Sequence, residues 1–180
     1  TASTTTHVAF DWNATPQVAR FSGNVFWSGR AGAEAFYFCD APYLKPPESR
    51  NRSVASFQKR YSKYSIGDIS IAPQFVNADK GDYRLAAKSR CIDAGMPLTT
   101  AKLRGKGRTI TVRDVLCFCD GYGLVQADTI FVGSQRVRIV KINHRDRQIT
   151  VDRDISWTAN TPVTLDYKGK APDVGANETR

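Results

Sequence analysis

The sequence predicts an all-β fold with one short helix. Apolar and polar residues alternate along much of the chain, which is typical of half-buried strands. In the second half, five such segments follow one another at short spacing, as in small barrels and sandwiches. Apolar residues spaced three and four apart, the pattern of an amphipathic helix, occur in a single segment. These three observations favour β-structure over a helical fold.

The first third of the chain predicts short extended segments and a loop. Residues 18–27 (VARFSGNVFW) suit two short strands joined at Ser22-Gly23-Asn24, since Gly and Asn favour tight turns. The Pro-rich stretch 41–49 (APYLKPPES) is expected to be a loop.

The helix is expected near Ser53–Lys63. Val54, Phe57 and Tyr61 are spaced by three and four residues, and Ser53 is a suitable N-cap.

The second half predicts a small antiparallel β domain. In the stretch Arg136-Val137-Arg138-Ile139, basic and apolar residues alternate, which predicts one charged face and one buried face. Polar turns are expected at 132–134 and 144–147. The predicted strands are Thr109–Val115, Asp128–Val132, Gln135–Ile142, Gln148–Val151 and Thr161–Tyr167, enough for a barrel or sandwich of about 65 residues.

Composition and charge limit the class of protein. The 180 residues are 41% hydrophobic and 24% charged, as in globular proteins with a buried core. No apolar run approaches the roughly 20 residues of a membrane-spanning helix, so no membrane insertion is expected. The chain begins at Thr1 without Met and without the features of a signal peptide, and we expect it to be a piece of a longer protein.

The net charge of +9 is compatible with an anionic partner. Nucleic acid, an acidic polysaccharide and a membrane surface all fit, and a solvated basic surface without a partner explains the charge equally well. The cations concentrate mildly in two stretches: Arg50, Arg52, Lys59, Arg60 and Lys63, and Lys102, Arg104, Lys106 and Arg108.

The four cysteines leave several chemistries open. Cys117 and Cys119 flank Phe118 and would share one face of a strand. Together with Cys39 and Cys91 they are compatible with buried thiols, a disulfide or a metal site, but a C-x-C pair alone is weak evidence for zinc. We predict no metal and no cofactor.

Residues 73–95 (PQFVNADKGDYRLAAKSRCIDAG) and 171–178 (APDVGANE) resemble the paired closing motifs of right-handed parallel β-helix proteins of the pectin-lyase-like type. The upstream stretches 22–27 and 53–71 are similar to the last coil, loop and short helix of such proteins. The resemblance implies the terminal coils and cap of a β-helix in an extracellular protein, that is, one that is secreted, periplasmic or on the cell surface.

The closing motif has a physical purpose in such a fold. Each coil of a solenoid buries its inward side chains only by stacking on the next, so the last coil needs a cover. Apolar residues would supply the cover, while glycines would supply sharp turns. The residues expected to form this cap are Phe75, Val76, Gly81, Tyr83, Leu85, Ile92, Asp93, Gly95, Asp173 and Gly175.

The chain departs from the family pattern in one respect. The two closing motifs usually lie close together in sequence, whereas here the predicted antiparallel domain separates them. We therefore expect an insertion whose ends are near each other. The expected organisation is residues 1–98 as terminal coils and cap, 99–168 as the inserted domain, and 169–180 as the return to the cap.

No catalytic set is found in the sequence. The Asn-Thr-Asp, Asp-Asp and Gly-His-Gly elements of polygalacturonases and the Arg-x-Pro-x-x-Arg element of pectate lyases are absent. His7 and His144 have no nucleophile motif beside them. Asp152 and Asp154 would share a strand face, but with Arg153 between them a solvated hairpin is the expected structure. The chain alone is not expected to be an enzyme, although a longer parent could be a polysaccharide lyase, hydrolase or epimerase.

Aromatic and basic side chains offer a route to carbohydrate binding. Aromatic rings stack on sugars, and Arg or Lys engage carboxylates or sulfates. The candidate residues are Tyr43, Arg60, Lys63, Tyr64 and Trp157.

Two main functions follow from these observations. The first is the non-catalytic C-terminal portion of a β-helix protein that binds or acts on polysaccharide, anionic in preference. The alternative is a structural or adhesive module that docks through its open solenoid end to upstream parts of its parent, another chain or a second copy. A third, nucleic-acid binding, depends on charge alone.

Overall fold

The computed structural model describes residues 8–10, 21–27, 36–38, 53–175 and 178. It confirms the predicted all-β character, with 39% of the described residues in strands and 10% in helices. The chain divides into two compact units. The first unit comprises Thr1–Gly95 and Asp173–Arg180, and the second comprises Met96–Pro172.

Strand pairs in the first unit join segments that are far apart in sequence. Two pairs are parallel, and an isolated parallel bridge between Val25 and Ile69 extends the second of them. Parallel pairing requires the chain to travel back between the two strands through a crossover. The pairs are β1 (Val8–Phe10) with β3 (Phe36–Phe38), and β2 (Phe21–Ser22) with β4 (Ser65–Ile66).

The predicted short helix is present as α1, Val54–Arg60. Ser53 caps it, because its side-chain oxygen accepts the Ser56 N–H at 3.1 Å while the Ser56 hydroxyl accepts the Ser53 N–H at 3.2 Å. Val54 and Phe57 are buried, and the Phe57 ring packs edge-on against Phe21 at a centroid distance of 6.0 Å. The helix therefore anchors β2 through an apolar contact.

The closing segment forms a hairpin of β5 (Phe75–Asn77) and β6 (Asp82–Leu85). A short 3-10 turn, Ala78–Lys80, connects the strands, and the Asn77 side chain accepts the Lys80 N–H at 3.2 Å. Gly81 ends the turn in the left-handed region at φ 76°, where glycine carries no steric cost.

The second unit is one antiparallel sheet of six strands that curls into a half-barrel. The order across the sheet is β7-β12-β9-β10-β11-β8, and the two edges meet at a bridge between Ala101 and Val112. The strands are β7 (Thr99–Thr100), β8 (Gly105–Thr111), β9 (Thr129–Val132), β10 (Gln135–Asn143), β11 (Gln148–Trp157) and β12 (Pro162–Leu165).

The core of the second unit lies inside this curled sheet. Alternate residues of the strands point inward, as the alternation around Val137 and Ile139 predicts. Trp157 is half-buried against this core. The core residues are Ala101, Ile110, Val112, Val115, Phe118, Ile130, Val132, Val137, Ile139, Ile142, Ile149, Val151, Ile155 and Val163.

Two predicted strands of the second unit have different bounds in the structure. The strand expected at Gln148–Val151 continues to Trp157, so the hairpin expected at Asp152 and Asp154 is wrong. The strand is long because β8 supports it at both ends: β11 pairs with β8 at residues 148–150 and again at 155–157, whereas its pairing with β10 ends at Val151.

The strand expected at Thr109–Val115 is instead Gly105–Thr111. The chain turns after it because the Asp114 carboxylate accepts the Leu116 N–H at 2.9 Å. Cys117 and Cys119 therefore lie in a loop and do not share a strand face; both are free thiols, as is buried Cys91. Cys39 lies outside the described residues.

Candidate functional site

The two closing motifs lie together in the first unit. Asp173 accepts the Asp93 N–H at 2.9 Å, and the Val174 N–H donates to the Cys91 carbonyl at 2.9 Å. Asp93 is held in the left-handed region at φ 54°, a conformation that Asp tolerates better than most residues. Residues 80 positions apart are thus joined by direct hydrogen bonds.

The cap residues differ sharply in burial. Leu85 is 4% exposed, and Gly175 lies against it, since a Cβ on Gly175 would be 3.6 Å from Leu85 Cδ1. Ile92, Asp93 and Gly95 are half-buried, and Asp173 is buried. Leu85 is therefore the main apolar contribution of this segment.

Three residues expected to cover an apolar end are exposed instead. Phe75 is 37% exposed, Val76 52% and Tyr83 61%. Phe75 and Tyr83 pack against each other edge-on across the two strands, with ring centroids 5.4 Å apart. The expectation that these three side chains are buried is wrong.

The carbohydrate candidates of the first unit follow α1. Lys63 is exposed, Tyr64 is half-buried, and the Arg60 guanidinium lies 5.5 Å from the centroid of the Tyr61 ring. Tyr43 lies outside the described residues.

Trp157 lies in a depression of about 330 Å³ at one end of the half-barrel in the second unit. The depression lies where the β9–β10 turn meets the end of β11 and the following turn. Its lining combines one indole ring with hydroxyl and amide groups. The lining residues are Val132, Gly133, Ser134, Gln135, Ser156, Trp157, Thr158 and Thr161.

Two contacts fix the Trp157 ring. Its Nε1–H donates to the Leu103 carbonyl at 2.9 Å, which satisfies the only polar group of the indole. The ring also lies over Gly105, where an added Cβ would be 2.5 Å from Trp157 Cζ2. Glycine at this position is therefore required for the ring to lie where it does.

Gln135 holds the wall of the depression together. No backbone pairing joins β10 and β11 beyond Ile139 and Val151, so the sheet opens between these strands. The Gln135 side chain spans the opening, donating to the Ser156 carbonyl at 2.6 Å and accepting the Ser156 N–H at 3.4 Å. Ser134 lies beside it on the turn and is exposed.

A basic segment runs along one side of the depression. The Ala101 N–H donates to the Thr161 carbonyl at 2.9 Å, and the Leu103 carbonyl accepts from Trp157, so residues 101–105 follow the lining closely. Lys102 and Arg104 alternate with these anchoring residues and are exposed. Neither side chain has a hydrogen bond or ion pair in the described part of the chain.

Lys106 adds a third cation next to this segment. It lies directly across from Ser156 in the β8–β11 ladder and is exposed. Facing residues on paired strands lie on the same side of the sheet, so Lys106 and Ser156 are neighbours. Three cations thus flank an aromatic and polar depression.

The acidic residues of the second unit are committed to structural contacts. Asp154 pairs with Arg108 at 3.3 Å, and Asp152 accepts the Arg138 N–H at 3.2 Å. Arg136 binds Asp166 through two hydrogen bonds, which lower the pKa of that carboxyl. These carboxylates are not arranged as an acid–base pair.

The described residues contain neither a candidate metal site nor a helix that could span a membrane. No group of three or more His, Cys, Asp and Glu side chains that could hold a metal ion occurs among them. The helices found in the same residues are too short or too polar to cross a membrane.

Sequence reasoning identified Trp157 but missed its polar neighbours. Gln135, Thr158 and Thr161 are ordinary surface residues in the sequence. Thr158 follows Trp157 directly, whereas the fold of the sheet and its turns brings Gln135 and Thr161 to the same depression. The available signal was the turn sequence Thr-Ala-Asn-Thr directly after Trp157.

Comparison of the chain with protein-family models, with curated proteins and with solved structures finds no significant match.

Proposed function

We propose that this chain is the non-catalytic terminal portion of a right-handed parallel β-helix protein that binds polysaccharide, with a preference for anionic polysaccharide. The observation that carries the proposal is the Trp157 depression with its flanking cations. The proposal of a β-helix is supported by the closing motifs, by the hydrogen bonds between them and by the parallel strand pairs of the first unit.

The chemistry of the depression suits a sugar ring. An indole presents an apolar face to the C–H groups of a sugar, and surrounding hydroxyl and amide groups can exchange hydrogen bonds with its hydroxyls. A volume of about 330 Å³ is at the lower end for small-ligand pockets and accommodates one or two rings. The site is shallow and open, which suits one stretch of a long polymer.

The flanking charge favours an acidic polymer. The second unit has 13 Lys and Arg against seven Asp and Glu, which gives it +6 of the total net charge of +9. Lys102, Arg104 and Lys106 lie beside the depression without acidic partners among the described residues. Carboxylate or sulfate groups of a bound polymer would supply those partners.

A glycan array read at low and high salt tests this function. We expect binding to uronate-containing or sulfated glycans that weakens with salt, because screening reduces the attraction between exposed charges. Neutral glycans should bind less. The double variant Lys102→Ala/Arg104→Ala should lose most of the anionic binding without unfolding, since both side chains are exposed.

A charge-matched variant at the other end of β10 is the control. Lys141→Ala/Arg145→Ala also removes two positive charges from exposed positions, and it should leave glycan binding nearly unchanged. Equal losses in both variants would show that net charge, and not this depression, attracts the polymer. Binding to DNA as strong as to acidic glycans would favour the nucleic-acid alternative.

A further inference from the structure

A second surface lies at the opposite end of the half-barrel. The loop at residues 113–128, here called the apolar loop, presents four large apolar side chains to solvent. Leu124 is 88% exposed, Leu116 79%, and Tyr122 and Val125 are each 69% exposed. Exposed apolar side chains that cluster in one place often mark an interaction site, whereas single exposed apolar residues are common on protein surfaces.

Internal contacts hold the apolar loop in this conformation. Val115 and Phe118 are buried and anchor its first half in the core. The Asp128 carboxylate accepts the Cys119 N–H at 2.7 Å, and the Asp128 N–H donates to the Cys119 carbonyl at 3.0 Å. Val115 and Phe118 thus make the apolar contacts that anchor the loop, and the four exposed side chains take no part in them.

A cluster of cations lies next to the apolar loop. The Asp120 carboxylate of the loop accepts the Ile142 N–H at 2.9 Å, and the Arg147 side chain donates to the Arg113 carbonyl at 3.3 Å. The β10–β11 turn therefore packs directly against the loop. The exposed cations of this region, here called the basic turn, are Arg113, Lys141, Arg145 and Arg147.

We propose that the apolar loop and the basic turn together dock the protein peripherally onto an anionic lipid surface. Apolar side chains would enter the boundary between headgroups and acyl chains, while the adjacent cations contact lipid phosphates and carboxylates. The charge of the second unit is complementary to such a surface. A folded protein partner is less well matched, because the four side chains project from a loop and line no groove among the described residues.

This inference is independent of polysaccharide binding. β10 is nine residues long and runs from Gln135 in the depression to Asn143 beside the apolar loop, a distance of roughly 30 Å. Arg113 links the two regions, because its guanidinium donates to the Asn160 side chain at 3.0 Å in the turn beside the depression, so it is left unchanged in both tests. The four substituted cations, Lys102, Arg104, Lys141 and Arg145, have no side-chain hydrogen bond or ion pair in the described part of the chain. For lipid docking, Lys141→Ala/Arg145→Ala is therefore the test variant and Lys102→Ala/Arg104→Ala is the control.

An environment-sensitive fluorophore on Cys117 tests the docking directly. Cys117 is exposed within the loop, Cys91 is fully buried, and Cys39→Ser/Cys119→Ser leaves Cys117 as the one accessible thiol. With vesicles of phosphatidylcholine and phosphatidylserine, we expect a blue shift of the label and co-sedimentation of the protein. Vesicles of phosphatidylcholine alone should give much less of both.

Three variants separate docking from general adsorption. Leu124→Glu/Val125→Glu should abolish the blue shift, and Lys141→Ala/Arg145→Ala should weaken vesicle binding by about fivefold per cation. Lys102→Ala/Arg104→Ala should bind as the parent protein does. Vesicle binding without a blue shift, equal losses in both charge variants, or no binding to anionic vesicles would each overturn the proposal.

Discussion

Leu85 and Phe75 lie opposite each other in the β5–β6 hairpin, yet only Leu85 is buried. Their pattern in the sequence is the same, a large apolar residue in a short strand, and the sequence motif gave no reason to treat them differently. Burial depends on what packs onto each side chain. Gly175, which returns from the far end of the chain, lies against Leu85.

Replacing each of these residues by Ala should therefore have unequal effects. Leu85→Ala should lower the free energy of unfolding by about 2–5 kcal/mol, the usual cost of truncating a buried leucine. Phe75→Ala should cost clearly less, because more than a third of the side chain is already exposed. Urea unfolding measures both, and equal values would show that the burial difference has no energetic consequence.

The Asp82–Arg84 pair gives a prediction about pH. Hydrogen bonds from the Arg84 side chain lower the pKa of Asp82 from its ordinary 3.8 to about 2. Because the folded-state pKa is depressed, the pair stabilises the fold above about pH 4, and this contribution is lost as the pH falls towards 2. A carboxyl-carbon NMR titration should show this midpoint, and Arg84→Ala should return it to near 3.8. An unchanged midpoint in the variant would exclude Arg84 as the cause.

At the scale of elements, alternation was enough to predict β9 and β10 nearly to the residue. β8 and β11 were predicted with wrong bounds for a physical reason. β11 loses its pairing with β10 after Val151 and continues on β8 alone from Ile155, and local sequence patterns do not show where a ladder ends. Gly105, the first residue of β8, makes room for the Trp157 ring, a contact that local sequence patterns do not indicate.

The parallel pairing of β2 and β4 depends on one buried carboxylate. Asp68 accepts the Asn24 N–H at 2.9 Å, the Asn24 side-chain amide at 2.8 Å and the Ser65 hydroxyl at 2.6 Å. Asp68→Ala would remove three hydrogen bonds to a charged acceptor and leave the buried Ser65 hydroxyl without its partner, so we expect a loss of about 2–3 kcal/mol. Asp79→Ala, at an exposed position, is the matched control. A loss below about 0.5 kcal/mol for Asp68→Ala would contradict a structural role, since surface substitutions usually remain within that range.

At the scale of the whole molecule, each compact unit has its own buried residues. The core cluster of the second unit consists entirely of residues from 101 to 163. We therefore expect a fragment of residues 96–172 to fold alone, with a cooperative thermal transition and a dispersed amide spectrum. A fragment with random-coil chemical shifts would show that the second unit needs the rest of the chain.

The candidate site could be predicted only in part. Trp157 was among the aromatic residues expected to stack on sugars, and the Lys and Arg concentration at residues 102–108 was visible in the sequence, but no sequence pattern linked the two. The depression itself was not, because it forms where the 133–134 turn and the 158–161 turn meet. That meeting depends on the strand order of the sheet, which local patterns do not encode.

Polysaccharide binding at Trp157 is tested most directly by following its indole N–H in an NMR titration. The protein would be titrated with an oligouronide and, separately, with a neutral oligosaccharide of the same length. The account predicts that the oligouronide shifts the Trp157 Nε1–H signal together with the amides of Gly133, Ser134 and Gln135, with much smaller shifts from the neutral sugar. An unchanged Trp157 signal at saturating oligouronide, or shifts confined to residues outside the depression, would contradict it.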